Sequence, residues 1–139
     1  MVKLFLDANI LFSAAYREQA GLAKLWKLNQ VRLVSSDYAV IEAERNLREP
    51  HQLERLKMLI NSIEVMTGYN DSLIPGDIKL NIKDRPILAA AIATKANFLI
   101  TGDRDFEHLF GKKIHCVTIL TPSVYFSDFQ LLMHDKRKK

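Results

Sequence analysis

The sequence predicts an α/β domain, a mainly parallel β-sheet with helices on both faces. Two observations carry this. Short apolar runs of strand length recur at residues 3–6, 31–34, 98–101 and 117–120. Between them, apolar residues repeat at i, i+3 and i+4, the spacing of a helix that buries one face. Strands separated by helices pair in parallel and are covered on both sides. The 139-residue length suits one domain with a real core, and 48% apolar with 26% charged residues is an ordinary globular balance. We assign residues 1–134 to a single domain and residues 135–139 to a basic tail.

The elements follow in order. Leu4, Phe5 and Leu6 form the first strand, and Asp7 interrupts it. The apolar pattern resumes through Ala15 as a helix. Leu22, Leu25 and Trp26 mark a second helix over about residues 18–28, with Trp26 in the core. Val31 to Val34 is the second strand. Ser36 caps the next helix, Asp37 lies in its first turn, and Val40, Ala43 and Leu47 share one face. That helix ends before Pro50. Leu53, Leu56, Ile60 and Ile63 mark an amphipathic helix, followed by a brief strand near Glu64–Met66. Residues 67–82 carry two glycines and a proline and have no clear period.

Pro86 sits at a helix start, which leaves Asp84 just outside. Ile87, Leu88, Ala91 and Ile92 form the stripe of that helix. The strand at 98–101 is cut by Gly102, and the strand at 117–120 leads to Thr121-Pro122 and a last helix bearing Phe126 and Phe129.

The net charge is +4, from 20 basic and 16 acidic residues. This permits a nucleic-acid partner without demanding one. Part of the excess is the terminal run Lys136-Arg137-Lys138-Lys139, which reads most simply as a solvated tail. Cys116 is the only cysteine, which excludes an internal disulfide and a multi-cysteine zinc site. Its apolar surroundings predict a buried, inert thiol. No secretory signal is visible, because Asp7 breaks the N-terminal apolar run. The run from Ile87 to Ala93 is too short to span a bilayer. These features point to the cytoplasm.

The acids are the informative residues. Asp7 follows the first strand directly. Asp103 and Asp105 follow the strand at 98–101, so they share its carboxyl edge. Asp84 starts a helix that runs back into that strand, so it lies at the same edge. Glu42 is about 9 Å along the helix that follows the second strand. Singly, each acid has an ordinary use as a cap, a turn former or a solvated charge. Together they repel, and a cation relieves the repulsion. Oxygen-only ligands point to a hard divalent ion, Mg²⁺ or Mn²⁺, and such a site suits phosphate chemistry. His108 and His115 have no metal-ligand spacing and read as surface residues.

These residues resemble the PIN-domain nucleases, among them the toxins of VapBC-type toxin–antitoxin pairs. The resemblance rests on Leu6-Asp7-Ala8-Asn9-Ile10-Leu11 and on Ser36 through Leu47 with Glu42. It continues in Asp84-Arg85-Pro86-Ile87-Leu88-Ala89-Ala90-Ala91, in Thr101-Gly102-Asp103-Arg104-Asp105, and in Thr121-Pro122 with Phe126. It implies a three-layer α/β/α sandwich and an endoribonuclease dependent on Mg²⁺ or Mn²⁺. By matching positions, Asp7, Glu42, Asp84 and Asp103 are the catalytic and metal-binding quartet, with Asp105 an accessory metal ligand. Asn9 orients Asp7, and Thr101 supplies a hydroxyl near the metal site. Asn81 departs from the pattern, standing where related sequences often carry another acid.

The implied partners are an RNA substrate and an antitoxin protein, with no membrane. Arg85, Arg104, Lys83 and Lys112 are the basic residues nearest the acidic edge in sequence, and they are candidates for holding the RNA backbone. The amphipathic helix over 50–63 is a candidate surface for a partner or for a homodimer, with core packing its simpler use. The other readings are a solitary RNA-processing enzyme and a module that binds RNA or protein without cleaving. A phosphatase of the haloacid-dehalogenase type is disfavoured, because its second Asp is replaced here by Asn9.

Overall fold

The structure, a computed structural model, describes residues 1–130. The predicted tail at 135–139 and the last residues of the predicted domain lie outside the described residues.

Six strands form one sheet among the described residues: β1 (Val2–Leu6), β2 (Val31–Ser36), β3 (Glu64–Met66), β4 (Phe98–Ile100), β5 (Lys113–Ile114) and β6 (Val117–Leu120). Their spatial order is β3-β2-β1-β4-β6-β5. All pairs are parallel except β5 with β6. The longer helices are α1 (Ala8–Ala15), α2 (Asp37–Asn46), α3 (Pro50–Asn61) and α4 (Arg85–Ala93), and they flank the sheet. This is the α/β class and three-layer arrangement that the alternation predicts.

The register places the site. Leu6 pairs with Ile100, and Ile100 pairs with Leu120, so the ends of β1, β4 and β6 are level. The Asp7 amide donates to the Ile100 carbonyl (3.1 Å) and extends the ladder by one residue. Leu4, Phe5, Leu6, Leu99 and Ile100 are fully buried. Each such side chain contributes about 1.5–3 kcal/mol through removal from water. The ends of the central strands are therefore firmly fixed.

The structure differs from expectation in several places. The helix predicted over 18–28 is a 3₁₀ turn at Gly21–Lys27. Gln19 adopts a left-handed conformation (φ 55°) and Ala20 offers no capping side chain, so no α-helix is nucleated there. Trp26 still packs on the core, and its indole donates to the Leu59 carbonyl (2.9 Å). Cys116 is exposed, not buried. It shares with His115 the two-residue turn between β5 and β6, and β6 begins one residue later.

The final helix does open at Thr121, whose hydroxyl accepts from the Val124 amide (3.3 Å). It then winds as a π-helix over Tyr125–Gln130. Tyr125, its first residue, is buried in the core beside Phe126. The side chain of Phe129 lies outside what is described.

The inner face of α3 is core packing, through Leu56 and Gln52, while Leu53 and Met58 are exposed. No helix among the described residues is long and apolar enough to cross a membrane.

Candidate active site

Asp7 ends β1 and occupies the N-cap of α1. It is only 4% exposed. One carboxylate oxygen accepts from the Ala8 amide (2.6 Å), and the other accepts from the Thr101 hydroxyl (2.7 Å). Thr101 is fully buried and also accepts from the Asp103 amide (3.0 Å). A single hydroxyl thus joins the ends of two neighbouring strands.

Asn9 makes no side-chain hydrogen bond to Asp7, which departs from its expected role. Its amide donates to Thr101 Oγ1 (3.4 Å), and its carbonyl oxygen accepts from the Gly102 amide (3.3 Å). Asn9 therefore fixes the loop after β4, and Thr101 orients Asp7. The spacing of Asn9 two residues after Asp7 puts it at the right edge but does not set the direction of its side chain.

Asp84 occupies the N-cap of α4 without making a side-chain cap bond. It is 6% exposed, and its Oδ2 is buried with no hydrogen-bond partner. Carboxylate oxygens of Asp84, Asp103 and Asp105 lie within 4.8 Å of one another. Asp103 caps the 3₁₀ turn Arg104–Leu109 by accepting from the Asp105 amide (2.9 Å). Glu42, in the second turn of α2, is half-buried. Asp7, Glu42, Asp84 and Asp103 line one cleft of about 360 Å³ with Asn9, Phe12 and Asn46. The structure thus brings the four principal acids to one cleft. The tightest group of acids is Asp84, Asp103 and Asp105; Asp105 does not line the cleft, and Glu42 stands outside the group.

The electrostatics follow from this crowding. Burial pushes the Asp7 carboxyl up to about 6, aided by the Asp103 and Glu42 charges and opposed by the Thr101 and Ala8 hydrogen bonds. Burial, the hydrogen bond with Asp105 and the Asp103 charge push Asp84 up to about 7. The same hydrogen bond holds Asp105 below the usual carboxylate range, with help from Asn81 and Lys83. Asn81 thus favours the charged form of Asp105.

The basic candidates divide. Lys83 pairs with Asp105 (3.4 Å), and Arg85 forms a two-bond pair with Asp71 (2.7 and 3.0 Å). Both are already partnered by carboxylates. Arg104 and Lys112 are exposed and make no ion pair among the described residues.

Tyr38 escaped the sequence reading. Its hydroxyl donates to the carbonyl of Lys83 (2.8 Å), the residue before Asp84. Partial burial and the adjacent Glu42 carboxylate push its hydroxyl up to about 12. Tyr38 and Glu42 are four apart on one helix face, and that spacing was the available signal.

The donor set fits a divalent cation. It is all oxygen, it concentrates negative charge, and it leaves a buried carboxylate oxygen without a partner.

Comparison with known proteins agrees with this geometry. The PIN domain family model matches residues 3–105. The chain belongs to the PIN-domain family. The match spans every acid discussed above and stops at Asp105. Among solved structures, the chain is similar to VapBC2 of Rickettsia felis, solved bound to a DNA fragment from its promoter. The TM-score is 0.65 at 14% identity, over 86% of this chain and 98% of that one. It is also similar to VapC20 of Mycobacterium tuberculosis, a toxin that cleaves the sarcin-ricin loop. There the TM-score is 0.55 at 12% identity, over 76% and 93%. At these identities the likeness is one of fold. A sequence search of curated proteins returned no match.

Proposed function

We propose that this PIN domain is an endoribonuclease that hydrolyses RNA phosphodiester bonds with Mg²⁺ or Mn²⁺. The observation that carries the reading is Asp84 Oδ2, a buried carboxylate oxygen with no partner inside a cluster of three acids. A module that only bound a polyanion would gain nothing from that arrangement.

Asp84, Asp103 and Asp105 would hold the ion, with Asp7 and Glu42 facing the same cleft. When bound, the ion supplies Lewis-acid stabilisation of charge on phosphate oxygens and a water of lowered pKa. The chain's own part is positioning. Thr101 and the Ala8 amide fix both oxygens of Asp7. Asn9 and Thr101 fix the loop that carries Asp103. Tyr38 ties α2, which bears Glu42, to the backbone before Asp84.

We extend the reading to a toxin held by an antitoxin protein, supported by the VapBC2 and VapC20 likenesses. A lone exposed cysteine suits a reducing compartment such as the cytoplasm.

The test is single-stranded RNA with purified protein and Mn²⁺, with EDTA as control. Cutting that needs the metal supports the reading, and undiminished cutting in EDTA removes it. Co-expression with the product of the adjacent gene addresses the toxin extension. A complex that forms with no loss of cleavage counts against inhibition.

A further inference from the structure

Four carboxylates line the acidic cleft, with Asp105 clustered against two of them, and they repel the phosphate that they would act on. Affinity for RNA has to come from contacts that carry no such penalty. Phe12 lines the acidic cleft and also a second cleft of about 370 Å³, lined further by Tyr16, Arg17, Ala20 and Leu22. Phe12 thus forms part of the wall of both clefts. Phe12 and Tyr16 are four apart on α1, with ring centroids 5.4 Å apart and tilted by 45°.

Tyr16 is 53% exposed, yet its backbone is held firmly. Its carbonyl accepts from Gln52 Nε2 and from Arg55 Nη2 (both 3.0 Å), and Arg55 Nε donates to the Ala15 carbonyl (3.0 Å). Two side chains of α3 thus pin the end of α1 beneath an aromatic ring left in solvent. Such a platform loses little entropy when a second ring stacks on it. Arg17 adds a cation that makes no ion pair among the described residues.

We infer that this cleft is a nucleobase subsite: an unpaired base of single-stranded RNA stacks on Tyr16 and Phe12 beside the scissile phosphate, with Arg17 on a flanking phosphate. This rests on the ribonuclease reading and narrows its substrate to RNA whose base is free to leave the helix stack. Stacking suits the place because it is indifferent to the charge of the acids. The cation next to it matches the phosphate on either side.

The experiment has two arms on the full chain. Binding of a fluorescein-labelled, mixed-sequence single-stranded RNA is read by anisotropy with Ca²⁺, for wild type, Tyr16→Leu and Tyr16→Phe. Cleavage of the same RNA is read with Mn²⁺. Tyr16→Leu should bind roughly ten-fold more weakly, as removal of a stacking ring does. Tyr16→Phe should bind as wild type, because it keeps the ring. Both should keep the wild-type melting temperature, since the ring is half in solvent.

Equal binding by Tyr16→Leu and wild type overturns the subsite, as does a wild type that binds no RNA. If Tyr16→Leu also loses a co-expressed protein partner while binding RNA normally, the cleft belongs to that protein. Ring-dependent binding without metal-dependent cleavage leaves the subsite standing and removes the nuclease reading. Cleavage that ignores Tyr16 does the reverse.

Discussion

The Thr101 hydroxyl donates a 2.7 Å hydrogen bond to Asp7 Oδ2, across 94 positions of sequence. The same oxygen accepts from the Asp103 amide, so one small side chain connects two acids of the cleft. Thr101→Val should keep the shape and lose this link. It leaves a buried carboxylate short of a donor, and should cost about 1–3 kcal/mol in urea unfolding. Thr101→Ser should recover most of the loss. A Thr101→Val protein as stable as wild type would show that the link carries no weight.

Asp7 makes stability depend on pH in a stated direction. Its folded value of about 6 lies above the ordinary 3.8, so the folded state holds a proton that the unfolded state has released. Its contribution is full below the unfolded value and is lost as pH rises through about 6. The loss amounts to about 3 kcal/mol at most. Asp7→Asn cannot ionise, so in EDTA its melting temperature should gain on wild type between about pH 5 and pH 8. It should also abolish cleavage. A variant that melts well below wild type at both pH values would assign Asp7 to structural hydrogen bonding instead.

Much of this was legible in the sequence. Unbroken apolar runs mark the parallel strands because both faces are buried, and an acid directly after such a run falls at the carboxyl edge. That logic places Asp7 and Asp103 without a structure, and the helix start at Pro86 places Asp84. What resisted reading depends on contacts distant in sequence. Residues 67–82 look irregular because partners elsewhere hold them: His108 reaches the Lys79 carbonyl (2.6 Å), His115 reaches the Leu73 carbonyl (3.0 Å), and Asp37 accepts from the Gly68 amide. Both histidines are exposed, as expected, but their rings are fastened to that segment. The two residues of β5 are too few to show a period, so the sequence does not reveal the turn that exposes Cys116. The aim of the Asn9 side chain is likewise invisible to spacing.

Asp103 and Asp105 differ in place. Asp103 lines the cleft with Asp7, Glu42 and Asp84. Asp105 does not line that cleft and pairs with Lys83 (3.4 Å). Asp105→Ala should lose about 10–100-fold in single-turnover cleavage, because Lys83 already meets part of its charge. Asp103→Ala should lose more. Equal losses would show that both acids contribute alike.

Mn²⁺ binding by titration calorimetry, comparing wild type with Asp84→Asn near pH 7, tests most directly the claim that the acidic cluster is a metal site. Asn keeps the shape of Asp84 but removes the charge beside the unpartnered oxygen. The wild type should bind Mn²⁺ and melt at a higher temperature with it, since a ligand stabilises the state that holds it. Asp84→Asn should fold and bind at least about ten-fold more weakly. Equal affinities in the two proteins, or no binding by the wild type, would contradict a metal site built on Asp84, Asp103 and Asp105.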